Sequence, residues 1–310
     1  MQAIATLTDL IAGYEAVEQE PPEALFVMRE LLIPPLLALR HGDGAIGNWQ
    51  GQGAISADRV ASLIASTGVR TRPLNEPQNW GFHRIRGGNS VVQFDAAPPP
   101  RARHARTGCA STLAFELSDG SSRLVVNCGG AALAGGHVPA HIAQGLRATA
   151  AHSTLVLDNA NSTAVLLHGK LGKGAEEVEV VRRELSQNSA RVEASHDGYV
   201  PRFGLTHQRV LSLRKDGTQL AGEDILIPAN RKGKRGKVGF AIRFHLGRGV
   251  EAHLSQDQRG ATLLTPDGTL WQFRLGGDEA SAGEVVLAVE DSLWVDGEGR
   301  PHATKQLVLE

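Results

Sequence analysis

His152 lies in the run Arg147-Ala-Thr149-Ala-Ala-His152-Ser153-Thr154, just before the apolar stretch Leu155-Val-Leu157. An imidazole at the start of a strand is fixed by the sheet and still able to face a cavity, where it can bind a metal or move a proton. The same position suits a histidine that only satisfies its own strand. Further on, His207 and Arg209 share parity on an expected strand, so both project from one face. With His196 and Tyr199, in Glu193-Ala-Ser-His196-Asp197-Gly-Tyr199, they either line a cleft that attracts an acidic group or form a turn and a satisfied sheet histidine. Cys109 reads equally as a small buried hydrophobe. Cys128 directly follows Asn127, so the two side chains point to opposite faces of a strand, and a disulfide between Cys109 and Cys128 is not expected. The only phenols are Tyr14 and Tyr199, and Tyr14 belongs to a helix face expected to pack as core.

The elements that must position these groups change character along the chain. Ile4, Leu7, Leu10, Ile11 and Tyr14 recur at helical steps, and a second set follows at Leu25, Met28, Leu32, Leu36 and Leu39 after Pro21-Pro22. The glycines of His41-Gly-Asp-Gly44 end the second helix, and a third covers Ala57 to Ser66. From Gly81 onward short β-branched or alternating runs take over: Ser90 to Phe94, Leu124 to Asn127, Thr154 to Leu157, Val178 to Val181, Gln208 to Leu213 and Val285 to Val289. This is the pattern of an antiparallel sandwich. Thr265-Pro-Asp-Gly268 is placed as a hairpin turn, and the prolines of Ala96 to Pro100 make a rigid connector. The expected division is a helical segment over residues 1–70 and a large β-sandwich over 80–310.

Hydrophobic residues make up 41% of the 310, and the formal net charge is −1, which is globular composition. Bulk charge therefore does not hold a polyanion, and an acidic partner needs a local site. The basic run Arg231-Lys-Gly-Lys-Arg-Gly-Lys237 is expected as an exposed loop; it has no interleaved aromatics, so nucleic acid is not an expected partner. The apolar stretch from Ala24 to Leu39 is interrupted by Arg29, Glu30 and Pro34-Pro35, so no membrane span is expected, and no signal peptide is visible after Met1.

Two longer stretches carry a resemblance. Cys109-Ala-Ser-Thr-Leu-Ala-Phe-Glu-Leu-Ser-Asp119-Gly, continuing to Leu-Val-Val-Asn127-Cys128-Gly-Gly, and Arg147-x-Thr149-x-x-His152-Ser-Thr are similar to the C-terminal half of heparinase II/III-like proteins, lyases that cut uronic-acid glycans by β-elimination. The resemblance implies a supersandwich preceded by the last hairpin of an α/α toroid. It implies a metal set of Cys109, Asn127 and His152, holding zinc weakly because a neutral Asn stands where the family has an acid. It implies an acidic polysaccharide or oligosaccharide as partner, met by His41, Arg147, His196 and Arg209, with His207 and Tyr199 as candidate proton-transfer groups. It also implies the periplasm or cell envelope. Thr107 occupies the position of a proton-transferring histidine, so elimination is expected to be absent from this chain. The alternatives are a noncatalytic carbohydrate-binding or assembly module, or a piece of a longer enzyme.

Overall fold

The computed structural model describes residues 1–74, 80–100, 107–131, 138–166, 169–186, 188–230, 233, 236–276 and 285–310. The three expected helices form as α1 (Gln2–Ala16), α2 (Glu23–Ala38) and α3 (Ala57–Thr67). Ser56 caps α3 by accepting from the Arg59 amide, and Gly68, at φ +66°, closes it in the left-handed conformation. α2 begins after Pro22 and continues through Pro34 and Pro35 to Ala38. One side of the hairpin is buried through Ile4, Ile33, Leu36 and Leu37, packed with Trp49, Val60 and Ala114. The other side leaves Leu10, Val17, Val27, Met28 and Leu31 exposed. Among the described residues no helix is long and apolar enough to cross a membrane.

The remainder is mainly antiparallel β. The large sheet runs, edge to edge, Phe82–Gly87, Ser90–Asp95, Phe115–Asp119, Ser122–Val126, Phe240–Leu246, Pro301–Leu309 and Leu287–Val295, with Leu155–Leu157 also paired to Phe240–Leu246. A four-stranded sheet of Leu220–Pro228, Leu205–Arg214, Ser189–His196 and Val178–Leu185 covers one part of it. Val92, Phe94, Phe115, Leu117 and Leu124 of the large sheet meet Val192, Ala194, Leu211 and Leu213 of the smaller one in a single apolar layer. A three-stranded sheet, Glu251–Leu254, Gly260–Leu264 and Leu270–Arg274, packs Val250, Ala261 and Leu263 against Leu246, Leu287 and Leu307. The turn after Leu264 is the expected one: Thr265 N–H donates to Thr269 O at 3.0 Å and Gly268 adopts φ +86°.

The opposite face of the large sheet receives the helical segment. Gln93 points there, because its neighbours Val92 and Phe94 enter the core. Its Nε2 donates to Ala38 O at 2.9 Å and Arg40 O at 3.3 Å, supplying partners for carbonyls that the end of α2 leaves without intrahelical donors. That contact fixes the His41–Gly44 turn above the sheet. Of the expected basic loop, Arg231, Lys232, Lys234 and Arg235 lie outside the described residues.

Candidate functional site

Strand Phe115–Asp119 divides its side chains between the two layers. Phe115 and Leu117 enter the sandwich core, whereas Glu116 and Ser118 face the helical segment and are fully buried. Glu116 Oε1 accepts the Asn48 amide at 2.9 Å, the Asn127 amide at 3.0 Å and Asn127 Nδ2 at 3.2 Å. Its Oε2 lies 3.1 Å from His41 Nε2 and 3.4 Å from Arg123 Nη1. Gly47 has to be a glycine, since a Cβ there would sit 1.9 Å from Oε2. His41 Nδ1 meets the Ser118 hydroxyl at 3.0 Å, and Arg123 extends outward to Asp43 with bonds of 2.9 and 3.0 Å. Burial by itself would raise the Glu116 carboxyl, but the close approach of His41, the charge of Arg123 and the hydrogen bond from the Asn48 amide hold it below the ordinary range. Burial first, and Arg123 second, push His41 down to about 4, so its ring is neutral at pH 7.

A second cluster occupies the sandwich interior. His196 Nδ1 accepts the Gly198 amide at 3.0 Å, which leaves the proton on Nε2, 3.2 Å from His207 Nδ1. His207 Nε2 then donates to Asp224 Oδ1 at 2.6 Å. Arg209 forks onto both Asp224 oxygens at 2.8 and 2.9 Å and spans the gap between sheets, donating through Nη1 to Leu113 O at 2.9 Å and Ser153 O at 2.7 Å. Its guanidinium lies 5.6 Å from the Phe115 ring centroid. Burial raises Asp224, yet the Arg209 charge and the His207 hydrogen bond outweigh it and keep the carboxyl far below its usual value.

Ser153 joins the two clusters. Its carbonyl accepts Arg209, and its amide donates at 3.0 Å to Asn127 Oδ1, while Asn127 Nδ2 reaches Glu116. Glu116, Asn127 and Ser153, from the two quoted stretches, thus lie on one continuous buried hydrogen-bond path through the large sheet.

The structure places the expected site residues as follows. Parity holds for His207 and Arg209, which share a face, but that face is sealed: His196, Tyr199, His207 and Arg209 are exposed by no more than 1%. Their expected role as cleft lining differs from the structure, because the four-stranded sheet closes over them and they satisfy one another. Tyr199 donates its hydroxyl to Leu155 O at 2.8 Å, and burial pushes the phenol above its usual range. Arg147 is also buried and clamps backbone, with Nε on Gly108 O at 2.8 Å and Nη2 on Gly169 O at 2.9 Å. His41 does stand at the junction of the helical segment and the sandwich, with its ring nitrogens turned to Ser118 and Glu116.

Asn127 and His152 are neighbours through Ser153, whereas Cys109 is held in a different set of contacts. Its amide donates to Gln50 Oε1 at 3.1 Å and its thiol to Thr107 O at 3.3 Å. Burial pushes that thiol up to about 12, and burial lowers His152 to about 4. His152 by itself fits metal binding, because Nδ1 bonds Ala148 O at 2.8 Å and the lone pair is left on Nε2. The set does not fit. Both amide atoms of Asn127 are engaged with Glu116 and Ser153, and a zinc thiolate must lose the proton that Cys109 retains. Among the described residues no three His, Cys, Asp or Glu side chains gather in a metal-holding group. Cys128 faces away from Asn127, as parity requires, and is a free thiol packed with Val138, Leu146 and Val295.

Glu116, Arg123 and Asp224 were not among the expected site residues. For Asp224 a signal existed: the Asp216-Gly217 turn sets a hairpin register that puts it directly across from Arg209. For Glu116 the only signal is its place between Phe115 and Leu117.

One opening remains near these networks. Between the end of α2 and the edge strand Phe82–Gly87 lies a pocket of about 360 Å³, lined by Arg40, His41, Arg84, Arg86 and Asn89 among others. A family profile described as "Heparinase II/III-like, C-terminal" matches residues 69–310. The chain belongs to this family. Heparinase II/III-like sandwiches of known structure superimpose on it along nearly its whole length. The heparan sulfate lyase HepC mutant from Pedobacter heparinus gives a TM-score of 0.75 at 16% identity, over 99% of this chain and 48% of that one. A crystal structure of Heparinase III gives 0.72 at 12% identity, over 99% of this chain and 50% of that one. At such identities the likeness is one of fold. A relative in sequence, FtsZ-localized protein C of Caulobacter vibrioides (strain NA1000 / CB15N), is 29% identical over 286 residues, covering 87% of this chain and 48% of that protein. The chain spans about half the length of the relatives it matches.

Proposed function

We infer that this heparinase II/III-like chain is a recognition module for acidic sugars that does not itself carry out β-elimination. The observation that carries this reading is the sealing of the candidate acid and base: Tyr199 and His207 are exposed by 1% and 0%, and each is hydrogen-bonded within the sandwich. Elimination from a uronate needs a base within hydrogen-bond reach of the C5 proton and an acid at the leaving oxygen. Neither group meets a sugar here, and the Thr107 hydroxyl does not act as an acid or base at neutral pH. Recognition is supported by family membership and by the arginine-lined opening beside α2. The periplasm or cell envelope goes with this reading as the compartment.

The test is ultraviolet absorbance of the unsaturated product, with heparan sulfate and alginate as substrates, alongside calorimetric binding of a uronate tetrasaccharide. Binding without product is the expected outcome. Turnover abolished by His207→Ala with the fold intact would overturn it. A second reading, an assembly module, is favoured by the 29% identity to FtsZ-localized protein C over 87% of this chain. Co-sedimentation of the chain with FtsZ polymers, with no saccharide binding, would replace the first reading by the second.

A further inference from the structure

We propose that a cleft midway along α2 binds a monocarboxylate carried on an apolar body, with Arg29 as the receptor for the carboxylate. The cleft, of about 660 Å³, lies between α2 and the chain leaving α3, and Val27, Arg29, Glu30, Leu31, Val69 and Arg70 line it. Arg29 falls one turn before Ile33 on the buried side of α2 and is 8% exposed. Its Nε is buried without a hydrogen-bond partner. Among the described residues its guanidinium meets the Phe26 ring, 5.4 Å from the centroid, and no carboxylate or carbonyl oxygen. A ring face attracts the charge but leaves the N–H donors without oxygen acceptors.

The C-terminal carbonyls of α3, which ends at the cleft, are already taken. Ser66 Oγ donates to Leu63 O at 2.8 Å, Thr67 Oγ1 to Ile64 O at 2.7 Å and the Gly68 amide to Ala65 O at 3.2 Å. Glu30 follows Arg29 by about 100° of helical turn, which places it on the exposed side of α2. A guanidinium fork matches the two oxygens of a carboxylate. Two arginines and one glutamate leave the lining with a single net positive charge, which matches a monoanion and disfavours a polysulfated chain. The rest of the named lining is apolar. Val27 and Leu31, one turn apart, are 47% and 66% exposed, and Val69 packs against the helical core. An aliphatic or aromatic body would displace water from these side chains, which an inorganic anion cannot do. The volume sits within the range of small-ligand sites, about 300–1,000 Å³.

Neither a sugar nor the sandwich enters this site, so it stands or falls apart from the glycan reading. Isothermal titration of the 310-residue chain with octanoate, octanamide, acetate and inorganic sulfate separates charge from apolar contact. Octanoate should bind, and the other three should each bind about tenfold more weakly or less. Arg29→Met keeps an unbranched buried side chain and removes the charge, so octanoate binding should fall about tenfold or more. The urea midpoint of that variant should stay the same or rise, because a buried donor without a partner has been removed. Leu31→Ser, at an exposed position, should weaken octanoate about fivefold. Arg248→Gln, an exposed arginine elsewhere, should change nothing. A lowered midpoint in Arg29→Met would show that the guanidinium already has a partner in the folded chain and would overturn its role as receptor. Octanamide or sulfate bound as tightly as octanoate, octanoate binding indifferent to Arg29→Met or to Leu31→Ser, or no binding by any probe would overturn the proposal as well.

Discussion

The two faces of the large sheet carry the same cast, a neutral buried histidine, an arginine and a carboxylate held ionised, in different surroundings. On the sandwich side Arg209 and Asp224 are dry, with side chains exposed by 2% and 8%, and each guanidinium nitrogen makes a hydrogen bond. On the helical side Glu116 is dry, but the chain of contacts runs outward through Arg123 to Asp43, exposed by 12% and 26%. Charge taken wholly out of water depends on its partner, because loss of that partner leaves an uncompensated ion in a medium of low dielectric. Charge that reaches solvent does not. The first cluster is therefore a strut between sheets, and the second leads toward the opening beside α2.

Asp224→Asn tests the dry side most severely. Arg209 and His207 lose their common acceptor while remaining buried, and the expected cost is about 3–5 kcal/mol in urea unfolding. A loss below about 1 kcal/mol would mean that water enters the sandwich interior and that the contrast between faces is false.

Asn127→Asp comes next and bears on the metal. The new carboxylate would sit against Glu116, now 3.2 Å from Asn127 Nδ2, replacing a hydrogen bond by repulsion between like charges. The expected cost is about 2–3 kcal/mol, with no gain of zinc by elemental analysis. A stoichiometric, tightly held zinc in this variant would show instead that Asn127 is a weakened ligand.

These residues show which parts of the arrangement were legible in the sequence. Period-two alternation placed His207 and Arg209 on one face correctly, and helical spacing placed α1, α2 and α3 within a residue or two. Whether a face is wet depends on what covers it. The partners of Glu116 arrive from segments far apart in sequence, including His41 and Asn48, and no local pattern joins them. Motifs resembling ligand positions were thus readable as a group, but their chemistry was decided by packing.

Acid should expose the buried histidines. His41 and His152 are lowered to about 4 and His245 to about 3, mainly by burial. A depressed histidine contributes stability that is fully present above the unfolded value near 6.5 and lost as pH falls toward the folded one. Asp95 acts in the opposite sense: burial raises it to about 7, so its contribution is present below the ordinary carboxyl value and is lost as pH rises through 7. Several histidines outweigh one aspartate, so stability should fall from pH 7 to pH 5. In His152→Asn, which keeps a donor for Ala148 O, that fall should shrink by about 1–2 kcal/mol. An unchanged fall would show that His152 is not held neutral by its surroundings.

The smallest effect belongs to the wet end of the helical-side cluster. In Asp43→Asn the side-chain oxygen can still accept the Ala45 amide, bonded now at 2.9 Å, and one donor of Arg123. Arg123 keeps Glu116 as its ionic partner, and water can reach the position that the lost oxygen held. A partly exposed pair of this kind contributes about 0–1 kcal/mol and is weakened by salt. Unfolding at low and at high ionic strength should therefore give a difference under about 1 kcal/mol that shrinks further as salt is added. A cost approaching that of Asp224→Asn, insensitive to salt, would place Asp43 in an environment as dry as the sandwich interior and remove the distinction between the two faces.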